Sequence, residues 1–184
     1  MHNNFNNNFN FNNNYNLCFM NNNFNNNCFN NNCNNNLNEV DVYQCFDYDK
    51  KLNNMTGENR MYCNRCKCNQ DCQMKTELVI GPKILILLLN RGKGLEFDVK
   101  IKFYKILNLN NYFDFKGEGC IYELIGVITH IGENNMGGHF ISYCKDPISS
   151  KWLFFNDAIV GYVKDFEKEV INFSNPYLLF YRKI

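Results

Sequence analysis

Charge is the first thing this sequence lacks. Across residues 1–38 no Asp, Glu, Lys or Arg occurs, the first being Glu39, and in their place stand 23 asparagines and six phenylalanines. The asparagine amide competes for nearby backbone hydrogen bonds, which favours turns over helix or strand. Residues 1–38 therefore read as an Asn-rich, low-complexity and disordered segment whose aromatics could associate, leaving residues 39–184 as the folded part. A chain of that size can bury a core of its own. Long apolar runs are missing too. The longest, Ile84–Leu89, has six residues, against the roughly 20 needed to cross a bilayer. Nor does the chain open on a basic start followed by an apolar stretch, so no secretory signal is read and no membrane partner is expected. With a net charge of +1 and no basic cluster, nucleic acid is not expected as a partner either.

Cysteine, by contrast, is plentiful, with ten in the chain. Four of them crowd into Cys63–Cys72, a spacing that suits metal or free thiols better than separate bridges. Without a secretory signal, a reducing compartment is expected, the cytoplasm or the nucleus.

Helical periodicity is also scarce. Only Leu37–Leu52 (a helix or turn) and Val163–Ile171 have a helical look. Elsewhere the texture is of short strands: Pro82–Leu89, apolar enough to be buried on both faces, then Phe97–Phe103, which alternates apolar and charged side chains. Tyr122–Ile131, His139–Cys144, Trp152–Phe155 and Tyr177–Tyr181 follow. Short links between strands, with almost no helix to carry crossovers, imply an antiparallel sheet.

The chemistry concentrates in two neighbouring runs. Gly137–Cys144 reads GGHFISYC, and Trp152–Asp157 reads WLFFND, with the turn-type sequence Asp146-Pro-Ile-Ser-Ser150 between them. Paired glycines before a histidine allow close approach of backbone or ligand. A hairpin centred on Ile148 and Ser149 places residue i opposite residue 297 − i, hence Asn156 opposite Ile141. His139 is then the diagonal neighbour of Asn156 on one face, with Cβ atoms about 7–8 Å apart. A one-residue slip gives that place to Asp157. An imidazole held at one nitrogen by a side-chain oxygen can take a thiol proton at the other. On spacing alone, a strand-end histidine satisfied by a neighbour reads the same way.

Five motifs in order resemble those of the ubiquitin-specific protease family. They are Tyr62-Cys-Asn-Arg-Cys66 with Pro82–Arg91, then Tyr122–His130, GGHFISY from Gly137, Trp152–Asp157, and Pro176–Tyr181. The resemblance covers about 120 residues. It implies an α+β, papain-like cysteine peptidase, here mainly the antiparallel β palm and fingers of the C-terminal part of the catalytic domain. It also implies His139 as general base, Asn156 as its orienting partner and Asp157 as a neighbouring polar group. Gly137, Gly138 and Phe140 would line the channel for the substrate's glycine tail, and ubiquitin and ubiquitinated proteins are the implied partners. No cofactor is implied for catalysis, while Cys63 and Cys66 are candidates for a structural zinc. Their further ligands are open between Cys28 with Cys33 and Cys68 with Cys72.

The nucleophile is the departure. Asn16-Leu-Cys18-Phe-Met-Asn21 echoes the family's cysteine box and makes Cys18 the candidate, yet only 121 residues separate it from His139, with no helical pattern to fill a thumb. Three functions follow as expectations. The first is a deubiquitinase cleaving after ubiquitin's C-terminal glycine. The second is a catalytically incomplete relative that binds ubiquitin without the nucleophile segment. The third is a small zinc-binding or aggregating protein. Asn90-Arg91-Gly92 stands where the family has Lys-Arg-Phe, a change at the strand's exit rather than in the chemistry.

Overall fold

The computed structural model describes residues 15–21, 39–90, 99–113, 119–132, 137–172 and 175–184. Strand β7 (Ile84–Asn90) is the apolar run, and it pairs antiparallel with β14 (Pro176–Lys183). Next to β14 lies the long strand β10 (Ile121–Ile131), which carries β11 (His139–Lys145) on its other side. Strands β12 (Trp152–Asn156) and β13 (Ile159–Tyr162) extend the sheet by two successive hairpins. Short β9 (Ile106–Asn108) also pairs with β10. The order β7-β14-β10-β11-β12-β13 is thus antiparallel throughout, as short connections require.

One strand departs from the sequence reading. Strand β1 (Tyr15–Asn21) lies inside the asparagine tract and runs parallel to β7, with Cys18 opposite Leu87. Its sequence YNLCFMN is where apolar residues are densest in the tract, and the edge of β7 offers it a row of backbone donors and acceptors. Residues 1–14 and 22–38, with Cys28 and Cys33, lie outside the described residues.

One face of the sheet builds the core. Leu85, Leu87 and Leu89 of β7 are fully buried, as are Leu179 and Tyr181 of β14 and Tyr122 of β10. The alternate residues Ile84, Ile86 and Leu88 are only half-buried, so β7 is covered on one face rather than on both. Helix α1 (Val42–Asp49) closes part of the core with Val42, Cys45 and Phe46. Asp41 caps it, accepting from the Tyr43 amide at 2.9 Å while Gln44 Oε1 accepts from the Asp41 amide at 2.9 Å, a reciprocal cap that fixes where the helix begins. Strand β2 (Glu39–Asp41) pairs with β8 (Lys100–Lys102). The expected second helix is a single wide turn, Glu167–Ile171, whose Asn172 amide donates to Glu167 O at 2.9 Å.

The cysteine-rich segment forms two small ladders. Strand β3 (Asn53–Met55) pairs with β6 (Cys72–Met74), and β4 (Met61–Cys63) pairs with β5 (Cys68–Gln70). Among the described residues no helix is long and apolar enough to cross a membrane.

Candidate active site

Local turn chemistry sets the site. Between β11 and β12 the carboxylate of Asp146 accepts from the amides of Ile148 at 3.0 Å and Ser149 at 3.3 Å, and the Asp146 amide donates to Lys151 O at 2.8 Å. Asp146 and Pro147 are thus turn formers for identifiable reasons. The resulting register pairs Ser142 with Phe155 and Lys145 with Trp152, each pair summing to 297, as the turn-centred reading requires. Continued by one pair, it sets Asn156 opposite Ile141.

His139 and Asn156 consequently meet. His139 Nε2 lies 2.5 Å from Asn156 Oδ1. An amide oxygen can only accept, so Nε2 carries the proton and Nδ1 of the neutral ring holds a bare lone pair. The Asp157 carboxylate stands 3.8 Å from the same Nε2. Asp157 is held there by the two-residue hairpin turn into β13, where it adopts a φ of 49°. Asparagine therefore takes the orienting place, with aspartate as the outer neighbour. The imidazole is 43% exposed, so it is anchored on one side and accessible on the other.

Other expected site residues are placed differently. Phe140 faces away from His139, because side chains alternate along β11, and its ring packs instead on His130 and Tyr177 with centroids 4.9 and 5.3 Å apart. It therefore lies on the face of the sheet opposite His139. Gly137 has nothing within 4 Å of where a Cβ would stand, whereas a Cβ on Gly138 would lie 2.1 Å from His130 Nε2. The space expected for a ligand at Gly138 is filled by the chain's own His130. The sequence reading noticed His130 only as the end of a strand motif. Its pairing opposite Phe140, one residue from His139, appears only in the assembled sheet.

Cys18 is not brought to His139. Strands β7, β14 and β10 intervene between β1 and β11, and at about 4.8 Å per strand this puts the two strands roughly 19 Å apart. Residue 18 sits within β1. Cys144, five residues along β11 and on its other face, lies about 17 Å from His139 at the usual rise per residue.

The cysteine knuckle exists as a turn. The Cys66 amide donates to Cys63 Sγ at 3.5 Å. The amides of Cys66 and Arg65 draw the Cys63 thiol below its ordinary value, and the hydrogen bond shared with Cys63 pushes Cys66 above its own. No group of three or more metal-binding side chains converges among the described residues. Two thiols are half of the four ligands a structural zinc takes, so the described residues do not fit that metal.

A strand-borne histidine in contact with an asparagine on the next antiparallel strand sits within an α+β fold of few helices, consistent with a papain-like peptidase fold. The chain belongs to the ubiquitin carboxyl-terminal hydrolase family, whose pattern it matches over residues 22–181. It is 33% identical over 153 residues to ubiquitin carboxyl-terminal hydrolase 2 of Gallus gallus, covering 78% of this chain and 41% of that protein. Ubiquitin carboxyl-terminal hydrolase 8 of Saccharomyces cerevisiae is 31% identical over 156 residues, covering 76% of this chain and 32% of that one. Among solved structures, the SAGA Ubp8/Sgf11/Sus1/Sgf73 DUB module bound to ubiquitin aldehyde superposes with a TM-score of 0.61 at 29% identity, covering 79% of this chain and 35% of the other. The chain thus spans less than half the length of these relatives.

Proposed function

We propose that this chain serves deubiquitination, supplying the general base His139 and its orienting Asn156 for thiol-dependent hydrolysis of the bond after ubiquitin's C-terminal glycine. The observation that carries this is the 2.5 Å contact between His139 Nε2 and Asn156 Oδ1. With Nε2 donating, Nδ1 is the atom that takes the thiol proton. The thiolate then attacks the carbonyl carbon, and the imidazolium returns the proton to the leaving amine. Asn156 keeps the ring in the productive tautomer, and the Asp157 carboxylate stabilises the charge the ring acquires. The neighbour bound to ubiquitin aldehyde supports ubiquitin and its conjugates as partners. A reducing compartment, the cytoplasm or the nucleus, suits a reaction that depends on a thiol.

A second reading, ubiquitin binding without hydrolysis, is favoured by one observation, the separation of Cys18 from His139. One experiment addresses both. The chain is titrated with ubiquitin and incubated with a ubiquitin probe bearing a C-terminal thiol-reactive group. The expected result is measurable ubiquitin binding without an adduct, since base and orienter act as a unit with a thiol and lose most of the rate without one. An adduct at Cys18, lost in His139→Ala, would make the chain a self-sufficient protease. No detectable ubiquitin binding and no adduct would sink both readings.

A further inference from the structure

We infer that His130 is a positioning residue for His139, a wedge that sets the backbone entering β11 and so the orientation of the base. The inference rests on the deubiquitinase reading for its purpose and on packing for its substance. His130 is buried, with 9% of its surface exposed. Its ring sits in a cradle with glycine on two sides. A Cβ on Gly138 would fall 2.1 Å from Nε2 and 2.3 Å from Cε1, while one on Gly132 would stand 3.4 Å from Cε1. Both glycines carry positive φ, 144° at Gly132 and 158° at Gly138. A Cβ on Gly132 would also meet Gly137 O and Gly138 Cα, each at 2.9 Å. The chain before and after residues 133–136 is therefore drawn together against one ring. The third side is the edge-on Phe140 ring, 4.9 Å away. The base of the wedge is fixed as well. The His130 amide donates to Asn175 O at 3.2 Å, and the neighbouring Thr129 hydroxyl donates to the same oxygen at 2.6 Å.

The consequence reaches His139 through one peptide unit. Gly138 is in contact with the His130 ring and is covalently joined to His139, whose Nε2 must stay on Asn156 Oδ1 to hold the tautomer. Remove the ring, and Gly138 loses the surface that sets its position. The backbone leading into β11 can then shift, and a small displacement is enough to break a hydrogen bond that is strongly distance-dependent. Such a role belongs to a group that touches neither thiol nor substrate.

The test reads the tautomer directly, from the side-chain nitrogen signals of His139 in a proton–nitrogen NMR spectrum of the whole chain. In the wild type a single tautomer protonated at Nε2 is expected. In His130→Ala the two ring nitrogens should become averaged, because the ring is no longer tied to Asn156. His130→Gln, which keeps most of the volume in the cradle, should restore the single tautomer. Val170→Ala is the control: it opens a cavity at a fully buried core position and should lower the melting temperature while leaving the His139 signals unchanged. Should the alanine variant not fold, His130→Asn, which shortens the side chain but keeps it polar, is read in the same way. A single Nε2-protonated tautomer in the folded Ala or Asn variant overturns the inference, and so does averaging in Val170→Ala. Neither ubiquitin nor hydrolysis enters the readout, so failure here and failure of the deubiquitinase reading are separable.

Discussion

Two adjacent glycines before the histidine look interchangeable as letters, but their surroundings give them opposite tolerances. At Gly138 an added methyl would meet the buried His130 ring and also Ile131 O at 2.8 Å, whereas at Gly137 nothing stands within 4 Å. Overpacking of a filled site typically costs about 1–3 kcal/mol, and an exposed, unstrained change stays within about 0.5 kcal/mol. Gly138→Ala is therefore expected to destabilise by about 2 kcal/mol or more in denaturant unfolding, and Gly137→Ala to be close to neutral. Equal effects at the two positions would contradict this account of the cradle. Asp157 shows the same dependence on place. As a sequence letter it rivals Asn156 for the imidazole, but at the turn it lies 3.8 Å from the ring, 82% exposed. The register decides between an amide and a carboxylate that chemistry alone cannot separate.

At the scale of elements, the sheet is tied across three strands by one carboxylate. Glu123 of β10 receives Lys145 from β11 and Arg182 from β14, the latter at 2.8 Å. Hydrogen bonds from Lys145 first and Arg182 second hold its carboxyl below the ordinary glutamate value. A depressed folded-state value means that this contribution is complete above the unfolded pKa of about 4.3. It is lost as pH falls below that through the folded value. Stability of the wild type should fall in that acidic window, while Glu123→Gln should lose less there and be weaker by about 1 kcal/mol at neutral pH, the scale of a partly exposed ion pair. Urea unfolding of the two proteins at neutral and acid pH reads the difference. An identical pH dependence would show that the triad contributes nothing. The β11–β12 hairpin was legible because its turn residues are strong local signals. The shortness of the helix expected at Val163–Ile171 was not, since only Glu167–Ile171 winds into one wide turn, with Val170 buried in the core.

For the whole molecule, the main surprise is the partner of β7. Seven consecutive residue pairs, Tyr15 with Ile84 through Asn21 with Asn90, put part of an asparagine-rich tract on the edge of the principal sheet. An uncovered strand reading ILILLLN would present unpaired backbone groups beside apolar side chains, a template for association between copies. A chain lacking residues 1–21 is thus expected to form larger species in light scattering at concentrations where the full chain does not. If the shortened chain stays as monodisperse as the parent, β1 is not needed as a cover.

Sequence by itself determined what depends on near neighbours. Period-two alternation marked the strands, Asp146 and Pro147 marked the turn, and counting outward from that turn paired His139 with Asn156, because a hairpin's register follows from its loop. The order of five short motifs added the family. Tertiary structure decided what depends on strands distant along the chain. It put β1 on the far edge of the sheet, where Cys18 is four strands from the base it was matched with. It turned Phe140 to the face opposite His139 and filled the space beside Gly138 with His130. Those outcomes follow from which apolar faces bury one another, a property of the assembled sheet that no local spacing encodes.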